Sequence, residues 1–323
     1  MTEKIQPLKN QKELLNLVFP ESAFSYEYLE WLYHSGPDGH HIPSDYSETE
    51  ELLGHYTVVP QTWRDGQTAR QLALSLNTAV HEKARGKGLF TKLAEESYAE
   101  AAEQGIQAII GVANANSTPG FLRRLGFKLV CPLPVVAGMA FPAAWGRVAS
   151  HRVTPQFLKS SEFDAVRVAI LAGQPTTGLV QNWTTEKLHW RLSSPRAKYA
   201  LHTHSTGTLI TTAAPLAAGI RAVIALKFFP HSSHQIDCQA LLRKATAFHR
   251  SPFFIYSGFN DLAKLRGLPL PRRLLPSPLS YTGVWMTPCP LRIKSVSARS
   301  NFWILMHIEA WQRLTAQPTL VAR

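Results

Sequence analysis

Apolar and polar positions along the first 130 residues alternate between the two-residue period of strands and the longer period of helices. Residues 69–80 carry apolar side chains at alternate positions, which predicts a strand. Residues 89–104 have apolar positions three and four apart and are followed by Gly105, which predicts a helix that ends there. The apolar run at 106–113 is short and continuous, as in a buried strand. This pattern predicts a mixed α/β fold.

Weaker signals complete the first half. They predict helices at residues 11–17 and 25–34, a strand at 54–60, and a short helix that begins at Ser117. Glycine, proline, aspartate and serine dominate residues 36–47, which predicts a loop. Helices and strands thus mix along the chain up to about residue 130.

The second half repeats this mixture of elements. Its patterns predict four strands and one helix, namely strands at 199–206, 209–213, 220–228 and 253–257 and a helix at 236–249. The proline-rich residues 269–290 read as irregular structure that precedes a last strand at 302–306.

A change of composition separates the two halves. Residues 132–142 are apolar but interrupted by prolines, which predicts a linker and a domain boundary near 141–150. We therefore predict two domains, residues 1–145 and residues 146–323, a division that fits a chain of this length.

Charge differs strongly between the predicted domains. The first 145 residues carry 12 Lys+Arg and 16 Asp+Glu, whereas the remainder carries 22 and 6, a net charge of +16. Such an excess indicates either a solvated basic surface or an anionic partner, such as an acidic lipid, a carrier protein or a phosphorylated substrate. Nucleic acid is not favoured, because the aromatic residues are dispersed and follow no RNA-binding signature.

Composition and cysteine spacing indicate a soluble protein of the reducing cytoplasm. The chain is 45% hydrophobic and 17% charged, and its three cysteines show neither disulfide nor metal spacing. The apolar stretches at 129–145 and 208–226 contain proline, glycine or arginine, so we expect no membrane span. Histidine pairs occur at 40–41, 202/204 and 231/234, but neighbouring carboxylates or cysteines do not complete a metal-ligand set with them, so we expect no metal.

A glycine-bearing turn between strand and helix carries the functional argument. The turn reads Arg85-Gly86-Lys87-Gly88 and leads directly into the predicted helix. The free N–H groups and the dipole at a helix N-terminus suit a pyrophosphate, and glycines let the backbone approach it closely. Arg85 and Lys87 add positive charge.

Two sequence blocks resemble the GNAT superfamily of acyl-CoA-dependent N-acyltransferases. The run at 72–93 resembles a strand followed by an R-x-x-G-x-G/A turn, and the run at 114–127 resembles an asparagine turn, a short helix and an L-G-F entry into a strand. The resemblance implies a mostly antiparallel twisted sheet flanked by helices. It also implies transfer of an acetyl or other acyl group from acyl-CoA to an amine, without a metal.

The resemblance also implies roles for particular residues. Asn114 and Asn116 would lie beside the thioester arm. The other expected cofactor-binding residues contact pantetheine (Thr78 and Val80) or the pyrophosphate (Arg85, Gly86, Lys87, Gly88, Leu89 and Phe90).

Two positions depart from the family pattern, and the catalytic base is open. Phe90 stands where the family has glycine or alanine, and Leu122 stands where many members have a tyrosine that protonates the leaving thiolate. An attacking ammonium must lose a proton, and the candidate catalytic residues are His55, Tyr56 and His81.

The second domain is interpreted as a degenerate GNAT-like partner. Residues 25–37 and 188–195 share a loose pattern of apolar helix end, tryptophan and proline, but the predicted helix at 236–249 follows no glycine turn. Three functions remain open. The first is an N-acyltransferase acting on a small amine, such as an amino sugar or nucleotide sugar of surface-polysaccharide metabolism; the second is a non-catalytic acyl-CoA-binding or regulatory protein; and the third is a transferase acting at an anionic surface or carrier.

Overall fold

The structure is a computed structural model that describes residues 2–141, 147–216, 220–232, 234–275 and 279–286. The strand predicted at 302–306 lies outside the described residues. The chain divides into two compact units: unit 1 is Met1–Pro132 with Leu279–Ser295, and unit 2 is Leu133–Pro278 with Val296–Arg323. The compact units divide the chain after Pro132 and around Leu279, not at residue 145. The predicted boundary between functional domains at residue 145 stays a prediction.

The described residues form seven α-helices and fourteen strands. The helices are α1 (Thr2–Val18), α2 (Tyr26–Tyr33), α3 (Leu89–Glu103), α4 (Thr118–Arg124), α5 (Ser161–Ala172), α6 (Thr185–Leu192) and α7 (Cys238–His249). The strands are β1 (Ile42–Glu48), β2 (Glu51–Asp65), β3 (Thr68–Val80), β4 (Ala108–Ala113), β5 (Lys128–Pro132), β6 (Val135–Met139), β7 (Ala149–Arg152), β8 (Leu179–Gln181), β9 (Ala200–His204), β10 (Gly207–Pro215), β11 (Arg221–Pro230), β12 (Phe253–Ser257), β13 (Leu268–Pro269) and β14 (Ser280–Trp285).

The sheet of unit 1 contains the path β1-β2-β3-β4-β14-β5. All neighbours on this path are antiparallel except β3 and β4, which are parallel. Helix α3 buries Leu89, Leu93, Ala94 and Ala101 against one face of this sheet, in a core that also contains Tyr56. With the buried Ser97, the buried positions of α3 recur three or four apart from Leu89 to Ala101, so the helix presents one buried stripe to the sheet.

The sheet of unit 2 has the order β13-β6-β12-β11-β10-β9-β7. Its one parallel pair is β11 with β12, and the other neighbours are antiparallel. One apolar cluster contains side chains of α5 and α6, and a second contains side chains of α7. Both units are therefore mixed α/β, with a mostly antiparallel sheet flanked by helices, and this part of the prediction is confirmed.

Each sheet incorporates a strand from the other half of the chain. β14 follows all the described strands of unit 2 in sequence, yet it lies between β4 and β5 of unit 1. β6 directly follows β5 in sequence, yet it lies between β12 and β13 of unit 2. In both sheets the inserted strand is antiparallel to the second strand of the parallel pair.

Three of the predicted irregular segments are wrong for the same physical reason. The expected linker at 132–142 contains β6, the expected irregular segment at 269–290 contains β14, and the expected loop at 36–47 contains most of β1. In the first segment Pro132, Pro134 and Pro142 flank the strand without interrupting it. Because these strands are five to seven residues long, nearby turn-forming residues dominate any local average of composition. Among the described residues, no helix has the length and apolar character needed to cross a membrane.

Candidate active site

The parallel strands β3 and β4 pair over only part of their length. Their register runs from Leu72↔Ala108 to Ser75↔Gly111, while β3 continues to Val80 and β4 to Ala113. The carboxyl ends of the two strands therefore leave the pairing. We call this region, beyond Ser75 and Gly111, the β3–β4 opening. Ligands in open α/β sheets characteristically bind at such carboxyl ends.

A bulge in β3 lies at the start of this opening. The pairing of β3 with β2 steps from Leu76↔Thr57 to Ala79↔His55, so β3 carries one extra residue there. Asn77, within the step, has a φ of 51°, a left-handed conformation that is uncommon outside glycine. Beyond the bulge, Thr78 is half-buried. The half-buried Val80 lies two residues further along β3. These two expected pantetheine contacts thus lie on β3 beyond its pairing with β4.

The expected phosphate-binding turn connects β3 to α3. Gly86 and Gly88 have φ of 84° and 73°, so both residues adopt a backbone conformation that favours glycine. A Cβ atom added to either glycine would meet no protein atom within 4 Å. The turn is therefore open on the side where a ligand would approach, and its glycines are required by conformation.

The N-terminus of α3 has the character of an anion site. Its cap residue is Gly88, which offers no side chain to the first N–H groups. The Thr91 and Lys92 N–H groups bond to the Gly88 carbonyl, whereas those of Leu89 and Phe90 have no acceptor among the described residues. Leu89 is buried in the core below, which fixes the helix against the sheet. The N–H groups and the helix dipole at this end suit a phosphate.

The charged residues of the turn differ in their partners. Arg85 is exposed. The Lys87 Nζ atom lies 2.5 Å from Glu48 Oε1, and the Lys83 Nζ atom lies 3.2 Å from Glu51 Oε2. Hydrogen bonding with Glu48 holds the pKa of Lys87 above its ordinary value. An acidic hairpin between β1 and β2 therefore pairs with two lysines of the turn.

Phe90 connects the turn to α4. Its ring is half-buried and lies edge-to-face with Phe121, with ring centroids 5.9 Å apart. A Cβ on Gly120 would lie 3.0 Å from the Phe90 ring. Phe90 is larger than the glycine or alanine of the family pattern, and Gly120 on α4 leaves the space that its ring occupies.

The asparagine turn after β4 is a structural element. The Asn114 side-chain oxygen accepts hydrogen bonds from the backbone N–H groups of Asn116 and Ser117, at 3.0 and 2.9 Å. Such an arrangement builds a turn from a side chain. Asn116 itself is exposed, and Leu122 on α4 packs against the apolar core. The predicted contacts of both asparagines with a thioester arm stay predictions.

A chain of polar side chains runs from the partly exposed Asp45 through the buried His55 and Tyr33 to Asn77 at the β3 bulge. Asn77 Nδ2 donates to the Tyr33 hydroxyl at 2.8 Å, and that hydroxyl lies 3.3 Å from His55 Nε2. His55 Nδ1 lies 2.5 Å from Asp45 Oδ1, and Gln11 donates to the other carboxylate oxygen at 2.9 Å. A consistent assignment has Tyr33 donating to Nε2 while Nδ1–H donates to the carboxylate. We call this chain the Asp45–His55–Tyr33–Asn77 relay.

The charges of this relay follow from its contacts. Burial of Asp45 raises the pKa of its carboxyl, but the hydrogen bond and charge interaction with His55, together with Gln11, outweigh burial and hold that pKa below its ordinary value. His41 stacks on Tyr33 with ring centroids 4.2 Å apart, and burial lowers the pKa of His41 to about 3. Asp45 is therefore ionised and His41 is neutral at neutral pH.

The other two candidate catalytic residues lie elsewhere in unit 1. The Tyr56 hydroxyl is 2.6 Å from Ser75 Oγ and 2.5 Å from the Tyr98 hydroxyl, and burial raises the pKa of Tyr56 to about 12. His81 caps the turn after β3, where its Nδ1 atom accepts the N–H of Lys83 at 3.1 Å. Both side chains thus have local structural bonds, and their catalytic roles stay predictions.

Sequence reasoning proposed His55 but missed its partners. Asp45 lies in a segment that the sequence predicted to be a loop, and Tyr33 looked like an apolar helix position. The available signal was the pair Asp45 and His55 on adjacent strands of a hairpin. In the part of the chain that the structure describes, no group of three or more His, Cys, Asp or Glu side chains could hold a metal ion.

Comparison with known proteins agrees with this geometry. Residues 2–130 match the sequence model of a family described as an acetyltransferase (GNAT) domain. The fold resembles a conserved protein of unknown function from Enterococcus faecalis V583, described as a probable N-acyltransferase, with a TM-score of 0.60, 13% identity, and coverage of 87% of this chain and 70% of that one. No curated protein sequence gives a significant match to the chain.

Two further solved structures share the fold. Saccharomyces cerevisiae N-myristoyltransferase with bound myristoyl-CoA matches with a TM-score of 0.56 and 13% identity, over 93% of this chain and 82% of that one. A GCN5-related N-acetyltransferase from Anabaena variabilis matches with a TM-score of 0.53 and 15% identity, over 88% and 70%. At these identities the likeness concerns the fold.

The family match and the geometry together define the class of the protein. Residues 2–130 match the model of the GNAT acetyltransferase family, as the two sequence blocks predicted. The protein is accordingly an acyltransferase, and the family uses acyl-CoA as its acyl donor.

Proposed function

We propose that unit 1 transfers an acyl group from acyl-CoA to an amine at the β3–β4 opening. The observation that carries the proposal is the position of the uncapped α3 N-terminus, behind Gly86 and Gly88, directly after the strand that leaves its parallel partner. The pyrophosphate would bind the free N–H groups, and the pantetheine arm would extend along β3 past Thr78 and Val80. Arg85 and Lys87 would contribute charge to the phosphates.

The reaction needs few groups from the protein beyond positioning. The amine nitrogen attacks the thioester carbonyl carbon, a C–N bond forms, the C–S bond breaks, and the thiolate leaves with a proton taken up from solvent. One N–H proton of the amine must be accepted. Leu122 cannot supply a proton to the thiolate, so the leaving group depends on water or on another side chain.

For the proton of the amine we propose the Asp45–His55–Tyr33–Asn77 relay. His55 and Tyr33 are both fully buried, so the relay would act on the amine through a water at the bulge, which would pass the proton to the Tyr33 hydroxyl while that hydroxyl donates to Nε2 of His55. The ionised Asp45 would stabilise the imidazolium that forms. Asn77 would fix the Tyr33 hydroxyl at the bulge, where β3 leaves β4.

For the donor and acceptor we propose acetyl-CoA, or a related acyl-CoA, and a small amine in the cytoplasm. Amino sugars and nucleotide sugars are the first acceptors to screen. An acceptor at an anionic surface or on an acidic carrier is the corresponding proposal for the basic second half of the chain.

The donor site is tested by Gly88→Leu, with Gly105→Leu as the matched control. Both glycines have positive φ and open space at the Cβ position, but Gly105 follows the opposite end of α3. We expect similar losses of stability, of about 1–2 kcal/mol, from the left-handed backbone. Acetyl-CoA should raise the melting temperature of the wild type and of Gly105→Leu, but not that of Gly88→Leu. Equal stabilisation of both variants would contradict the proposed phosphate site.

The relay is tested by Tyr33→Phe, with Tyr26→Phe at the other end of α2 as control. Release of free thiol from acetyl-CoA, measured with a panel of amines, should fall at least tenfold in kcat for Tyr33→Phe while the KM for acetyl-CoA is unchanged. The steepness of the pH–rate profile should change as well. An unchanged profile would leave Tyr33 with a structural role alone.

A second candidate function has its own observation. Phe90 fills space between the turn and α4, and Leu122 replaces an acid, which are features of a protein that binds acyl-CoA without turnover. Acetyl-CoA stabilisation without thiol release from any amine in the panel would favour this regulatory function. Thiol release that disappears in Gly88→Leu would exclude it.

A further inference from the structure

Several strand ends of unit 2 meet at one edge of its sheet. β11 and β12 are parallel, and both begin at this edge. β6 and β7 run in the opposite direction and end there, at Met139 and Arg152. Helix α7 also ends at this edge, since only three residues separate it from β12. We call residues 139–141, 152, 220–221 and 249–253 the lower edge.

Hydrogen bonds hold the segments of the lower edge together. The Ala140 N–H group bonds to the Pro252 carbonyl at 2.9 Å, which connects the end of β6 to the turn between α7 and β12. In the same turn, the Ser251 hydroxyl donates to the carbonyl of Arg221 at 2.6 Å, which connects the turn to the start of β11. These three segments are therefore fixed next to one another within unit 2.

Large apolar side chains of the lower edge are exposed. Phe141 is 70% exposed, Met139 51% and Ile220 44%. Apolar side chains that are exposed singly are ordinary on a protein surface and need no explanation. Three such side chains on adjacent segments instead indicate a surface that meets a partner.

Exposed cations lie beside these apolar side chains. Arg221 directly follows Ile220, and Arg250 lies in the turn that bonds to Arg221; both side chains are exposed. Arg152 is exposed as well. Burial, followed by the charges of Arg221 and Arg152, lowers the pKa of His249 to about 4. Two of the three arginines therefore lie close enough to act on one side chain.

The lower edge contains no acidic residue that could neutralise these cations. Asp237 and Asp261 flank α7 and β12 at the ends that point away from this edge. Glu162 and Asp164 begin α5, whose apolar cluster is separate from that of α7, and Asp164 pairs with Arg167 at 3.0 Å. The lower edge thus combines exposed apolar side chains with uncompensated positive charge.

We propose that the lower edge of unit 2 docks on the surface of an anionic lipid bilayer. The apolar side chains would enter the headgroup region, and the arginines would contact lipid phosphates. A bilayer suits both properties at once, because its headgroups are anionic and the acyl chains directly beneath them accept apolar side chains.

This inference deepens the proposed action at an anionic surface, on which it rests, by naming the residues of unit 2 that make the contact. It does not require acyl transfer. Lipid binding is therefore measured without acyl-CoA, so that its failure and a failure of the proposed acyl transfer are separate results.

The test is flotation of the full chain with lipid vesicles. Vesicles of equal parts phosphatidylcholine and phosphatidylglycerol should bind the protein at low salt, and binding should weaken as salt screens the charges. Vesicles of phosphatidylcholine alone should bind far less. Absence of binding to the mixed vesicles, or equal binding to both kinds, would overturn the proposal. So would binding to DNA or polyglutamate with none to the mixed vesicles, since the edge would then serve another partner.

One pair of variants tests the apolar contact. Phe141→Ser should weaken binding to the mixed vesicles about tenfold or more, because a large apolar side chain no longer leaves water. Val168→Ser is the matched control, since Val168 is 58% exposed on α5 of the same unit. It should bind as the wild type does. Both positions are exposed, and circular dichroism and the melting temperature verify that each variant is folded.

A second pair of variants tests the charges. Arg221→Gln combined with Arg250→Gln should weaken binding about 30-fold, because basic residues near an anionic leaflet contribute additively. Arg123→Gln combined with Arg124→Gln removes the same charge from exposed positions of α4 in unit 1 and should change binding little. Equal losses in the two double variants would mean that net charge alone attracts the protein. That result, or unchanged binding by both lower-edge variants, would overturn the proposal.

Discussion

The two units use one strand arrangement to build two chemically different openings. In unit 1 the opening begins with Asn77, which is bonded into a relay that ends on an ionised carboxylate. In unit 2 the parallel pairing of β11 with β12 ends at Ala225, and the equivalent position is the buried Lys227, whose ammonium lies against two aromatic rings. The helix after the strand is uncapped behind two glycines in unit 1 and capped by Asp237 in unit 2. Topology thus determines where such an opening lies, and a few side chains determine its chemistry.

The largest effect is expected from a substitution in β14, the strand that follows the described strands of unit 2 in sequence but lies in the sheet of unit 1. Thr282 is fully buried in β14 and pairs with both Gly111 and Leu129. Thr282→Pro removes a ladder hydrogen bond from the interior of the sheet, so we expect a loss of about 3 kcal/mol or more in unfolding free energy. Acetyl-CoA should no longer protect the protein against thermal unfolding.

The control for that prediction is another proline in an edge strand. Leu268→Pro lies in β13, which pairs with β6 alone, and the residue is 76% exposed. Leu268→Pro should lower the unfolding free energy far less than Thr282→Pro and leave acetyl-CoA binding intact. If acetyl-CoA protected Thr282→Pro as well as it protects the wild type, β14 would not be needed for the donor site.

The next effect concerns the buried lysine. Lys227→Met removes a burial cost, and we expect unfolding free energy at neutral pH to rise by up to about 4 kcal/mol, since each pKa unit corresponds to about 1.4 kcal/mol. The pKa is lower in the folded state, so the unfolded chain binds more protons between about 7 and the ordinary lysine pKa. Stability of the wild type should therefore rise through this pH range.

Urea denaturation at several pH values checks both statements. The gain from Lys227→Met should be largest at and below neutral pH and should fade as the pH approaches the ordinary lysine range. A variant less stable than the wild type at every pH would mean that Lys227 has a compensating anionic partner in the folded protein.

A smaller effect distinguishes the two helix ends. Asp237→Ala removes the cap of α7 and should cost about 1 kcal/mol in unfolding free energy. The acetyl-CoA-induced shift of the melting temperature should stay as in the wild type. A loss of that shift would place the donor site in unit 2 and reverse the comparison.

The smallest effect concerns the acidic hairpin beside the phosphate turn. Glu48→Gln frees Lys87 from its carboxylate partner, and because exposed ion pairs contribute little, affinity for acetyl-CoA should rise only slightly. The gain should shrink in high salt. Glu103→Gln, at the exposed far end of α3, is the control and should change nothing measurable.

Local features of the site were predictable from sequence. Gly86 and Gly88 have positive φ in the structure, as a close turn before a helix requires, and the strand before them ends at Val80 as the apolar alternation indicated. The backbone conformation of the glycines and the end of β3 depend on residues that are close in sequence, so both could be predicted from the sequence alone. The roles assigned to them stay proposals.

The relay and the exchanged strands were not predictable in this way. Tyr33 and Asn77 are 44 positions apart, and only the folded sheet brings them within hydrogen-bond distance. The alternation of apolar and polar residues in β6 or β14 can identify a strand, but it does not indicate with which strand it pairs. Both segments also lie among prolines, which favoured an irregular interpretation.

The position of β14 sets the order in which the chain can become functional. The Thr282 hydroxyl donates to the Gly111 carbonyl across 171 positions of sequence, in the sheet for which we propose the donor site. During synthesis the turn at 85–88 leaves the ribosome early, yet its sheet keeps a gap between β4 and β5 until β14 has been translated. A prematurely terminated chain would therefore carry the whole sequence motif but an incomplete sheet, and acyl-CoA binding at the proposed site would report that translation had reached β14.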